Sequence, residues 1–91
     1  MYTIHKTVLK VGQFQQIALP PETQFLHVAA QGHDVVLWYL RPESSDPDLP
    51  VKAFKFRAAM TGEKLPDSII GERYLGTDQV GSTVVHVFLV D

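Results

Sequence analysis

The stretch "DVVLWYL" (residues 34–40) decides how this chain is read. Alternate residues of a β-strand point to opposite faces, so Val36, Trp38 and Leu40 go one way and Val35, Leu37 and Tyr39 the other. Both sets are apolar. A half-buried strand alternates apolar with polar residues, and a single small domain has little room for a strand buried on both faces. The final stretch, "TVVHVFLV" (83–90), has the same two-sided character. Strands of this kind pack against a second copy of the chain or another partner, or are covered by a loop. A homo-oligomer, dimer or higher, is therefore expected.

The rest of the chain reads as strands and turns. "YTIHKTVLKV" (2–11) is a first strand, and Gly12-Gln13 makes a tight connection into "FQQIALP" (14–20). Pro20-Pro21 stops that strand, because proline cannot donate to a ladder. "TQFLHVAAQ" (23–31) is a third strand, with Leu26, Val28 and Ala30 on its apolar face and His27 and Gln31 on the other. Gly32-His33 then turns the chain, and glycine in first place signals a type II′ hairpin into the opening stretch. "VKAFKFRAAM" (51–60) places Phe54, Phe56, Ala58 and Met60 on one face and Lys55 and Arg57 on the other. "PDSII" (66–70) allows a short helical turn. "GERYLGTDQV" (71–80) is a strand interrupted at Gly76, where a bulge fits. Gly81-Ser82 turns it into the last strand. Six or seven short strands joined by hairpins, with turns about every ten residues, predict an all-β fold: a small antiparallel β-sandwich or barrel in one domain, 1–91.

Composition narrows the function. The chain has 91 residues, 45% of them hydrophobic and 20% charged, with a net charge of −2. No whole-chain field favours nucleic acid or an anionic membrane. There is no cysteine, so disulfides and thiolate chemistry are excluded and a reducing cytoplasm is expected. No apolar run approaches the roughly 20 residues that span a bilayer, and the N-terminus lacks a signal-peptide core. His5, His27, His33 and His86 form no metal-ligand spacing, and no serine lies in a nucleophile elbow. The expectation is a non-enzyme without metal or cofactor. The loop "PESSDPDLP" (42–50) is acidic, proline-rich and expected to be solvated and mobile.

The order "TIHKTVLKV", "IALPPETQFLHVAAQG", "LWYLRP", "FRAAMTGEKLPD", "YLGTDQ", "HVFLV" resembles a family of short phage and prophage proteins known mainly as a domain of unknown function. The matching positions are Ile4-His5-Lys6, Leu26-His27-Val28 with Gln31, Leu37-Trp38, Thr61-Gly62, Tyr74 with Gly76-Thr77, and His86-Val87-Phe88. Met60, Tyr39 and Val85 depart from the pattern. The resemblance implies a phage source and a location in the host cytoplasm, and it implies no established activity.

Two functions are then expected. In the first, the oligomer is a sponge for a cyclic nucleotide or other small anionic ligand, a signal of host antiviral defence. The ligand set is His27, Gln31, Trp38, Arg57, Thr61, Tyr74, Thr77 and His86, which offers rings for stacking, a cation for phosphate and hydroxyls for polar edges. Spacing alone favours the plainer reading of Lys55 and Arg57 as edge-strand charges. In the second, the chain is a protein–protein module, an inhibitor of a host enzyme or an accessory of the phage particle, and the acidic loop meets a basic partner.

Overall fold

The computed structural model describes residues 1–44 and 48–90. Residues 45–47 of the acidic loop lie outside the described residues. Seven strands follow one another: β1 (Tyr2–Leu9), β2 (Phe14–Leu19), β3 (Gln24–Gln31), β4 (Asp34–Pro42), β5 (Lys52–Met60), β6 (Arg73–Val80) and β7 (Thr83–Val90). A 3₁₀ turn at Asp67–Ile69 occupies the place where a helical turn is allowed. The strands form two antiparallel sheets, a three-stranded one ordered β1-β4-β3 and a four-stranded one ordered β2-β5-β7-β6. The fold is an open sandwich and not a closed barrel.

Two hairpins carry the expected turn chemistry. Gln31 pairs with Asp34 around Gly32-His33, and Val80 pairs with Thr83 around Gly81-Ser82. The leading glycine of each turn has φ of 62°, the left-handed value that a type II′ turn demands at its first central residue. The connection from β1 to β2 is different in kind. It forms no hairpin and carries the chain from one sheet to the other. Gln15 latches this corner, its side chain accepting from Lys10 N and donating to Lys10 O at 2.9 Å each. Gly12, at φ of 90°, donates its N–H to Ala58 O at 2.8 Å.

The core lies between the sheets. Val35, Leu37 and Tyr39 enter it from β4, Phe54, Phe56 and Ala58 from β5, and Val85 and Val87 from β7. Phe25 meets Phe54 and Phe56 edge-on, with ring centroids 5.2 Å apart in both pairs. The opposite parity of β4 faces outward. Val36 is nonetheless only 1% exposed. Val8 and Ala29 flank it in register. Lys6 Nζ on β1 also donates to Gln31 Oε1 on β3 at 2.7 Å, a bond that spans the intervening β4. Trp38 and Leu40, on the same face, remain half-buried.

Three expectations need correction. The ladder of β3 shifts register between Phe25 and His27, so Phe25 and Val28 enter the core while Leu26 is left 43% exposed. A bulge adds one residue to a strand and reverses which parity faces inward beyond it. Met60, at the end of β5, is 44% exposed and not part of the core. β1 ends at Leu9, because residues 10–13 are used to change sheets.

The sheets also meet where β3 runs beside β6 without pairing to it. Ala30 donates its N–H to Asp78 Oδ2 at 2.7 Å, so a carboxylate replaces the missing ladder partner. A Cβ on Gly76 would lie 3.3 Å from Val28 Cβ, which is why this close approach takes glycine. Gly76 also sits at the expected bulge of β6. The N–H groups of Ala30 and Gln79 (the latter at 2.8 Å) hold the Asp78 carboxyl below its ordinary 3.8. A depressed folded-state pKa contributes stability above 3.8 that is lost as pH falls through the folded value. Asp78→Asn is expected to lower the denaturant midpoint near neutral pH. The gap from the unsubstituted protein should close in acid, and a gap independent of pH would contradict this role for the charge.

Candidate functional site

The outer face of the four-stranded sheet gathers most of the residues expected to bind. One cross-strand row runs over all four strands: Phe14 on β2 pairs with Arg57 on β5, Arg57 with Phe88 on β7, and Phe88 with Tyr74 on β6. The Arg57 guanidinium lies over the Phe14 ring, 5.2 Å from its centroid. Tyr74 and Phe88 meet edge-on at 5.2 Å. Rows of this kind are the cohesive unit of a sheet face, and a guanidinium between rings adds cation–π attraction.

The next row is polar. His86 on β7 pairs with Thr77 on β6, and its imidazole is surrounded by hydroxyls. Thr61 Oγ1 lies 2.7 Å from Nε2, while Tyr74 Oη and Thr77 Oγ1 lie 2.9 and 3.2 Å from Nδ1. A neutral imidazole has one donor and one acceptor nitrogen, and a hydroxyl can meet either. Both nitrogens are thus served by hydroxyls and neither by a carboxylate. The three hydroxyls fix the orientation of the ring and are themselves held beside it. The Tyr74 phenol is pushed above its ordinary 10.0 by desolvation, although the residue as a whole is half exposed.

Arg57 is 8% exposed and forms an ion pair with Glu63, which follows β5 in the 61–65 loop. Its Nε has no hydrogen-bond partner among the described residues. The pair pins this loop over the sheet and so places Thr61 beside His86. An open depression of about 580 Å³ adjoins Thr61, lined by Met60, Gly62, Glu63, Ser82, Thr83 and Val84. Lys55, one row further along β5, is half-buried on the same outward parity.

Of the eight residues expected to bind, Arg57, Thr61, Tyr74, Thr77 and His86 share this face. His27, Gln31 and Trp38 do not. They lie on the outer face of the three-stranded sheet, on the opposite side of the sandwich, so one chain does not unite all eight. Tyr39 is buried in the core and stacks on His5 at 5.8 Å. Sequence reasoning missed Phe14 and the pairing of Glu63 with Arg57. Phe14 depends on which strands are neighbours, and only its pairing with Arg57 reveals the link. Glu63 lies six residues from Arg57, and the turn after β5 folds it back onto the sheet. Among the described residues, no group of three or more His, Cys, Asp or Glu is placed to hold a metal ion. Among the same residues, no helix is long and apolar enough to cross a membrane.

No curated protein and no solved structure matches the chain at a significant level. A family model described as a domain of unknown function, DUF7352, matches residues 1–91. The match spans the strands of both sheets and both outer faces, and the chain belongs to the DUF7352 family.

Proposed function

We propose that this chain is a non-enzymatic binding module that holds a small, planar, anionic ligand of the nucleotide class on the outer face of its four-stranded sheet. The observation that carries this reading is the pair of adjoining rows, one aromatic and one of hydroxyls around an imidazole. Tyr74, 49% exposed, offers a ring on which a base can stack, a contact worth about 1–3 kcal/mol per base. Thr61 and Thr77 offer hydroxyls to its polar edge. Lys55 offers a cation to a phosphate about 7 Å along the strand from the aromatic row, two residues at the usual rise. Arg57, already held by Glu63, orders the row and does not itself contact the ligand. With the phage source that the sequence resemblance implies, the module acts in the host cytoplasm as a sponge. It binds a nucleotide signal of antiviral defence and does not turn it over.

Thermal unfolding with cyclic di- and trinucleotides, cyclic ADP-ribose isomers and adenosine monophosphate checks this reading. A ligand at about a hundred times its Kd stabilises by ~2.7 kcal/mol, which raises Tm on the order of 10 °C for a domain of this size. Tyr74→Ala, at a half-exposed position, should abolish the rise while the variant stays folded. No rise with any of these compounds at saturating concentration would overturn the proposal.

A further inference from the structure

We infer that the outer face of the three-stranded sheet docks a second copy of this chain. The argument starts with β1, whose apolar side faces away from the core. The parity directed into the sandwich is Thr3, His5, Thr7 and Leu9, of which only Leu9 is fully buried. The outward parity is Tyr2, Ile4, Lys6 and Val8, with Tyr2 56%, Ile4 64% and Val8 53% exposed. A slip of one residue would turn these apolar side chains inward. Instead the eight residue pairs between β1 and β4 run without a shift from Tyr2↔Pro42 to Leu9↔Val35. The more apolar side of β1 is therefore left more than half exposed in a lone molecule, where Val8 beside Val36 is its one contact with a buried side chain of β4.

The patch is large enough to matter. At about 200 Å² for a large side chain, the three residues leave roughly 350 Å² of surface exposed. That is the size of the largest apolar patch on a typical monomer, roughly 300–600 Å², which is often a functional surface. Trp38 and Leu40 on β4 extend it, since they stand beside Lys6 and Ile4 in register and are half-buried. Two copies of these three residues alone bury roughly 700 Å², and Trp38, Leu40 and the polar margin add to that toward the ~1,200 Å² at the low end of stable interfaces.

Its chemistry selects the occupant. Among the described residues, the only formal charge along the middle of the face is Lys6, and its ammonium is bonded to Gln31. The one carboxylate of this parity, Asp34, stands at the hairpin end of β4. One cation and one carboxylate are too few to select a strongly basic or strongly acidic partner. A largely apolar β-sheet face with equally sparse charge fits it, and the chain presents such a face itself. Two identical faces make an isologous pair, packed about 10 Å apart like the two layers of a sandwich. The second face of "DVVLWYL" is then covered by the same stretch of another molecule.

Light scattering on size-exclusion peaks, without nucleotide, tests this independently of the ligand proposal. The expected mass is twice the 10.2 kDa of one chain. The double variant Ile4→Lys with Val8→Lys should elute as a single chain with an unchanged circular dichroism spectrum, since both positions point outward, are more than half exposed and lie outside the core between the sheets. Acrylamide quenching of Trp38, the one tryptophan, should rise on dilution of the unsubstituted protein and be high at all concentrations in the variant. A monomeric unsubstituted protein overturns the inference. So does a folded double variant that keeps the dimer mass, which would place the interface elsewhere, as on the open edge of β1. Loss of nucleotide binding with the dimer intact would sink only the ligand proposal.

Discussion

Phe56→Ala is expected to lower the unfolding free energy by about 4 kcal/mol and to drop Tm by about 20 °C. Phe56 is fully buried, at 0% exposure. It sits in β5 between β2 and β7, opposite Gln15 and Leu89. Phe25 meets it edge-on from the other sheet. Removing the ring forfeits its transfer free energy and leaves a void that neighbours on two sheets would have to fill together. Strands in a ladder cannot move independently, so collapse into the void is limited. A domain of this size has a stability of a few to about 15 kcal/mol, so the variant stands near the edge of folding. Urea unfolding followed by circular dichroism measures the loss. A loss below about 1 kcal/mol would mean that Phe56 is not at the centre of the core.

Glu63→Ala is expected to cost about 2 kcal/mol, the value of a hydrogen bond to a charged group that leaves its partner stranded. The Arg57 side chain is 9% exposed and that of Glu63 19%. The penalty therefore falls short of the 3–5 kcal/mol of a fully buried pair broken on one side. The diagnostic comparison is with Arg57→Met combined with Glu63→Ala. That double variant removes the stranded charge and should be more stable than Glu63→Ala alone. The single change also releases the loop that carries Thr61, so the His86 ring resonances in a nuclear magnetic resonance spectrum should shift while those of core residues stay. If the double variant is less stable than the single one, the pair is not the reason Arg57 can be buried.

How far these features were legible depends on how local their causes are. Turn chemistry is local. Gly32-His33 and Gly81-Ser82 announce their hairpins because only glycine takes the left-handed φ without cost. The two-sided character of 34–40 and 83–90 was legible for the same reason, as a property of alternation along one strand. The bulge at Leu26 was not, because the sequence around it alternates plausibly in either register. The binding set was legible in part. Tyr74, Thr77 and His86 come from strands joined by a hairpin, so they are neighbours by connectivity. Phe14 joins them only through β5, which follows β2 by more than thirty residues.

By itself the sequence determined the strand content, the hairpin turns and the anomaly of a strand apolar on both sides. These rest on backbone sterics and a period of two, which act over a few residues. Tertiary structure decided which strands are neighbours and that the sandwich stays open. It also decided that Arg57 is buried against Glu63 and that Trp38 and His86 lie on opposite faces. Such outcomes come from packing between segments distant in the chain, where burial of apolar area is non-directional and the cross-strand register selects the partners.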